Sequence, residues 1–158
     1  MAMVVLATLS NSGQAAPQQP ITLRVALSVP ACEINQGQAI DVDFGNDVYT
    51  SQVNGDNYKK TIGFSLNCDS SSPTAMRLRF EGHGASFDSG VLSTTIRDLG
   101  IRLLLGSGAG APLRLGSWVN FERSGAMPIL QAVLVKRPGS TLSAGAFSGA
   151  ATLVVEHV

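Results

Sequence analysis

Apolar and polar residues alternate along most of this chain with a period of two, the signature of half-buried strands. Ile21, Leu23, Val25, Leu27 and Val29 fall on one face of the segment 21–29, which Pro30 closes. Residues 39–44 alternate again, with Ile40, Val42 and Phe44 on one side. Ile62, Phe64 and Leu66 do the same in 61–67, a segment that runs into Cys68. Met76, Leu78 and Phe80 form the next strand, closed by Gly82 and Gly84. Val91–Leu92 open a short segment, and 99–105 is a longer apolar run bounded by the turn-like 106–112. Segments 113–121 and 129–135 follow. The last strand is 150–158, with Leu153, Val155 and His157 on one face. The residues 54–57 (NGDN) spell a turn. About seven to nine short strands at hairpin spacing, with no sustained helical period, predict an all-β sandwich of immunoglobulin type. No internal repeat, interdomain linker or low-complexity block interrupts the pattern.

Composition narrows the class. The chain has 158 residues, one domain on a prior of about 150 residues each. Apolar residues make up 44%, enough for a packed core and too many for a disordered chain. Eleven Lys and Arg balance eleven Asp and Glu, so the chain lacks the basic excess that nucleic-acid binding requires. Residues 1–10 (MAMVVLATLS) form an apolar run about half as long as the roughly 20 residues a membrane-spanning helix needs. Gly13 and Ala15 follow, spaced like the small residues of a signal-peptidase site, although the first basic residue is Arg24. Residues 1–15 are therefore expected to be the remnant of a signal peptide. Export implies an oxidising compartment, where Cys32 and Cys68 would pair. They stand too far apart for a CxxC redox or zinc motif.

No catalytic or metal-binding constellation emerges. The two histidines, His83 and His157, lack HxxxH spacing. Asp41, Asp43 and Asp47 do not fit a calcium loop, because Asn46 and Gln52 stand where it needs Gly and Glu. They read as outward positions of a strand whose Ile40, Val42 and Phe44 point in. The segment 106–110 (GSGAG) lacks the Lys-Ser/Thr of a phosphate loop and reads as a hairpin turn. No G-x-S-x-G elbow appears. Neither an enzyme nor a cofactor is expected. Trp118, the one tryptophan, is a candidate sugar platform, though core or subunit contact is the commoner role.

The two terminal strands are out of balance. The 21–29 strand precedes Cys32 and has no evident pairing partner in the chain. The last strand runs to Val158 with nothing after it. An immunoglobulin-type sheet that stops there leaves an open edge, which a strand from a neighbouring copy could fill.

These features together resemble the subunits of chaperone–usher pili. The resemblance rests on an alternating N-terminal extension ending at the first Cys, then 32–40 (CEINQGQAI) and 42–45 (VDFG). It continues through 64–68 (FSLNC), Leu99–Gly–Ile101 with its hydrophobic strand, and Gly145–Ala–Phe147 leading to an alternating last strand. Such a resemblance implies an incomplete immunoglobulin-like β-sandwich missing its last strand, with an N-terminal donor-strand extension. It divides the chain into an extension at 16–31 and a pilin domain at 32–158. The donor face would be Ile21, Leu23, Val25 and Leu27. Gly145, Phe147, Leu153, Val155, His157 and Val158 would form the acceptor-groove edge that meets the chaperone, with the Val158 carboxylate as its anchor. The implied partners are a periplasmic pilus chaperone, an outer-membrane usher and neighbouring subunits, with no nucleic acid and no small-molecule substrate. The implied destination is the cell-surface fimbrium, reached through the periplasm, and the role is adhesion or biofilm. Two positions depart from the family pattern: Val25 stands where the extension usually has Gly, and His157 where the penultimate residue is usually Tyr. Both tilt the expectation toward a minor or adaptor subunit.

The rival expectation is a self-contained secreted sandwich that binds carbohydrate through Trp118. An exported hydrolase is a third, weaker one. The first two differ in one feature. In the rival, the 21–29 strand pairs within its own chain; in the favoured reading it projects and leaves the groove open.

Overall fold

A computed structural model describes residues 3–4, 21–27 and 32–158, the first two segments as backbone. Fourteen strands appear among them: β1 (Met3–Val4), β2 (Ile21–Leu27), β3 (Cys32–Ile34), β4 (Ile40–Val42), β5 (Lys59–Ile62), β6 (Leu66–Cys68), β7 (Ala75–Gly82), β8 (Gly84–Ala85), β9 (Asp88–Ser93), β10 (Leu99–Leu105), β11 (Ala111–Leu113), β12 (Val119–Glu122), β13 (Leu130–Lys136) and β14 (Ala150–His157). Helical structure among these residues is limited to short turns at Asn35–Gly37 and Thr50–Gln52.

Two sheets carry the core. The first has the order β1-β2-β14-β7-β12, with β4 also pairing β2. The second has the order β5-β13-β10-β9-β8, with β11 on β10. The alternation works as expected. Ile40, Val42, Phe44, Ile62, Met76, Leu78, Phe80, Leu153 and Val155 are all buried in one cluster shared by the two sheets. Asp41, Asp43 and Asp47 lie exposed between the inward positions or just past them. Cys32 and Cys68 form a disulfide across the short β3–β6 pair. Their separation of 36 residues makes the bond worth roughly 3–4 kcal/mol by chain entropy.

Local chemistry explains the turns. The Asn54 side-chain oxygen accepts the amides of Asp56 and Asn57, at 3.0 and 2.9 Å. The 106–112 segment is the expected hairpin, joining Leu105 to its partner Ala111. Two expected strands are broken instead. Residues 63–65 interrupt 61–67, leaving β5 on the second sheet and β6 against β3. Segment 113–121 divides at Gly116, whose φ of +81 favours glycine and whose amide donates to the Phe80 carbonyl.

The 21–29 segment, of which 28–29 lie outside the described residues, departs furthest from expectation in its 21–27 part. The favoured reading had it project from the domain. Instead β2 pairs within its own chain, antiparallel to β4 (Ile21 opposite Val42, Leu23 opposite Ile40) and parallel to β14. The reason is geometric. Among strands of the domain proper, β14 is paired by β7 on one edge, and its other edge and β4 face the same gap. Only four residues, 28–31, separate β2 from β3 in the sequence, so the nearest strand able to enter that gap is the chain's own.

Candidate functional site

The gap between β4 and β14 is the candidate site. Its floor is apolar because β14 alternates: Ala151, Leu153 and Val155 are buried, with Leu153 fully enclosed. Their neighbours across the β7 ladder are Gly82, Phe80 and Leu78, and the last two are equally enclosed. The expected donor positions align with this floor. Leu23 lies opposite Ala151, Val25 opposite Leu153 and Leu27 opposite Val155. Ile21 lies beyond that ladder, opposite Val42 of β4.

A pocket of about 180 Å³ continues the gap where β4 has ended and β14 has not begun. Val48, Val53, Ile96, Leu99, Leu142 and Phe147 supply its apolar lining. The Phe147 ring packs against Phe44 at a centroid distance of 6.2 Å, tying the two sides of the gap together. Gly145 also lines this pocket, with a φ of +139 that a residue bearing Cβ rarely adopts. Of the expected edge residues, Gly145 and Phe147 line this pocket, and Leu153 and Val155 are buried on β14. Sequence reasoning missed Val48, Val53, Ile96, Leu99 and Leu142, which come from three separate segments. Leu99 was read only as the start of a strand, and the signal of the others was isolated apolar residues in loops.

The far end of β14 is more polar. His157 is half-buried, and its Nδ1 is enclosed without a hydrogen-bond partner among the described residues. Val158 is 69% exposed, and its amide donates to the Ala75 carbonyl at 3.1 Å. Next to them, the Arg77 Nε donates to Glu156 Oε1 at 2.5 Å across the β7–β14 ladder. Arg79 pairs with Glu81.

Trp118 sits on the outer face of the first sheet, away from the gap. The guanidinium carbons of Arg77 and Arg79 both lie 4.3 Å from its ring centroid. Cation–π contact with two arginines engages the ring within the fold, which weakens it as a sugar platform. Arg77 and Arg79, two apart on one strand face, were the signal for this cluster. His83 is exposed on the β7–β8 connection, remote in sequence from His157. Among the described residues no three His, Cys, Asp or Glu side chains form a group that could hold a metal ion. No helix among them is long and apolar enough to cross a membrane. One carboxylate is perturbed: the Gly90 amide, reinforced by Arg114, holds Asp88 below its ordinary value of 3.8.

The geometry defines an immunoglobulin-like sandwich with one strand position open to a separate segment. The chain belongs to the fimbrial protein family, whose model matches residues 7–157. It is 35% identical over 141 residues to the uncharacterized fimbrial-like protein YfcR of Escherichia coli K12, spanning 87% of this chain and 79% of that one. It is 34% identical over 98 residues to the fimbrial adapter PapF of Escherichia coli, spanning 61% of this chain and 58% of that one. Its fold matches the solved structure of PapF, a P pilus adaptor subunit, with a TM-score of 0.60 and 28% identity. That match covers 83% of this chain and 98% of PapF. The P pilus rod subunit PapA shares the fold alone, with a TM-score of 0.61 at 22% identity, covering 82% of this chain and 92% of PapA. The chain is a structural pilus subunit with an incomplete immunoglobulin-like fold.

Proposed function

We propose that the chain is a minor or adaptor subunit of a chaperone–usher fimbria and joins its neighbours by strand donation. The observation that carries this reading is the gap between β4 and β14, an apolar slot bordered by two strand edges. A strand laid there makes ladder hydrogen bonds on both sides and covers Leu153 and Val155. During biogenesis a periplasmic chaperone supplies that strand, and at the outer-membrane usher the extension of the next subunit replaces it. Residues 16–31, presented through Ile21, Leu23, Val25 and Leu27, serve in turn as the donor for a neighbouring groove. The pocket beyond the start of β14 takes an apolar side chain of the incoming strand. His157 and Val158 meet the chaperone at the other end. Residues 1–15 are removed as the signal peptide. The role is structural, in support of adhesion, and non-catalytic.

The direction of β2 favours donation over a self-contained sandwich. Neighbouring strands of an antiparallel sandwich run in opposite directions, whereas β2 runs parallel to β14. It is a substitute for the missing strand rather than the strand the sheet pattern calls for.

Thermal unfolding tests the proposal. One protein is residues 16–158. The other lacks 16–31 and carries a copy of 19–30 behind Val158 on a flexible linker, free to turn back antiparallel to β14. A large rise in melting temperature in the second is the expected result. Equal or lower stability there would mean the sandwich is complete with β2 in place, and the carbohydrate-binding alternative would return.

A further inference from the structure

We infer that Trp118 is a positioning residue for strand capture: acting through Arg77, it holds the far end of β14 in place for an incoming strand. The inference rests on the strand-donation reading and adds to it a residue outside the groove. Alternation on β7 prepares the arrangement. Met76, Leu78 and Phe80 are buried in the core, so Arg77 and Arg79 between them point to the outer face of the first sheet. On β14, Leu153 and Val155 face inward, so Glu156 faces outward, and it stands opposite Arg77 across the ladder. Arg77 donates from Nε to Glu156 Oε1, and its Nη2 pairs with the same oxygen. On its other side Arg77 meets Trp118, the residue before β12, with 4.3 Å from guanidinium carbon to ring centroid. Arg79 meets the same ring at the same distance and pairs with Glu81. A tie therefore runs from the edge of β12 across β7 to β14, through Trp118, Arg77 and Glu156. An exposed ion pair formed by a free arginine loses much of its gain to ordering the long stem. Here the ring holds the guanidinium, so Glu156 meets a group already placed. Glu156 lies between Val155, which belongs to the groove floor, and His157, and the Val158 amide follows with its bond to the Ala75 carbonyl. Fixing Glu156 against β7 keeps this stretch extended, and a strand entering along the opposite edge of β14 needs that edge straight to form its ladder.

Hydrogen exchange and peptide capture in the full chain test the tie. Trp118→Ala should speed exchange of the 156–158 amides by about fivefold, the size of one exposed cation–π contact, and leave 151–153 unchanged. It should weaken capture of a labelled peptide of residues 19–30 by a similar factor. Exchange that rises evenly along β7, β12 and β14 would make Trp118 a general stabiliser and overturn the inference. The route through Arg77 is checked by combination: Trp118→Ala added to Glu156→Gln should do no further harm to capture, and a fully additive loss would refute it. Trp118→Phe, which keeps a ring under the guanidinium, should restore most of the capture. Arg77→Lys, which keeps the charge and loses the planar fork, should not. The reverse pattern would show that charge alone matters at this position. If Trp118→Ala fails to fold, Glu156→Gln should still produce the local exchange and capture defects, and a normal Glu156→Gln variant would overturn the proposal. Capture by the parent and by Trp118→Ala with equal affinity would sink the tie and leave strand donation standing. A parent that captures no peptide would remove the donation reading, and the inference with it.

Discussion

The two sheets of this sandwich are equally apolar and unequally finished. In the second, β13 lies between β5 and β10, both antiparallel and both from the domain's own chain. Leu103, Leu130, Ala132 and Leu134 face the shared core. Val91, Leu104, Val133 and Val135 form a smaller cluster on the other face, with Ala85 and Phe87 against it. The first sheet buries Leu78, Phe80, Leu153 and Val155 as thoroughly. Yet β14 finds its second partner in a segment that precedes the first cysteine and runs the unexpected way. Hydrophobic burial is therefore no measure of completeness. What separates the sheets is whether each edge is paired by a strand that the domain itself contains.

The largest effects should come from the two enclosed leucines that represent the sheets. Leu153→Ala and Leu103→Ala should each lower unfolding stability by about 3 kcal/mol, read by chemical denaturation. Only Leu153→Ala should also weaken capture of a 19–30 peptide; equal weakening by both would dissolve the distinction between the sheets. Loss of the disulfide should cost at least as much. Replacing Cys32 and Cys68 together by Ser should cost roughly 3–4 kcal/mol. Hydrogen exchange should rise first along β3 and β6, with β10 and β13 affected only through global opening.

A smaller effect is expected at the pocket. Gly145→Ala should cost about 1 kcal/mol, because the residue sits at φ +139. It should slow peptide capture more than it lowers stability, since its Cβ would meet no protein atom within 4 Å. The smallest effect belongs to the finished sheet. The folded-state value of Asp88 lies below its unfolded one, so its contribution is present above pH 3.8 and fades as pH falls through the lowered value. Asp88→Asn should be slightly less stable than the parent above about pH 4, with the gap closing in acid. A gap that widens in acid would contradict the assigned cause, the Gly90 amide and Arg114.

Much of this molecule was legible from alternation. Ile40–Phe44, Met76–Phe80 and Leu153–Val155 put their apolar residues inside because a strand has two faces and one of them met the core. Gly145, Phe147, Leu153 and Val155 were named through family resemblance; the first two line the pocket and the last two are buried on β14. The breaks at 63–65 and Gly116 were not legible, because each depends on which sheet a half-strand joins. The pocket was not legible either: Val48, Val53, Ile96, Leu99 and Leu142 meet only after loops 46–53 and 142–147 close over the start of β10.

The chain's own pattern determined that this is an all-β sandwich, that Cys32 and Cys68 would pair, and that 21–27 is a strand with one apolar face. These are local properties, set by period, turn residues and redox chemistry over short stretches. Tertiary structure decided where that strand goes. Period two says which face of a segment is buried and nothing about which edge it joins or in which direction. Those choices depend on the unpaired edges left once the other strands have closed, and on how few residues separate β2 from Cys32 in the sequence.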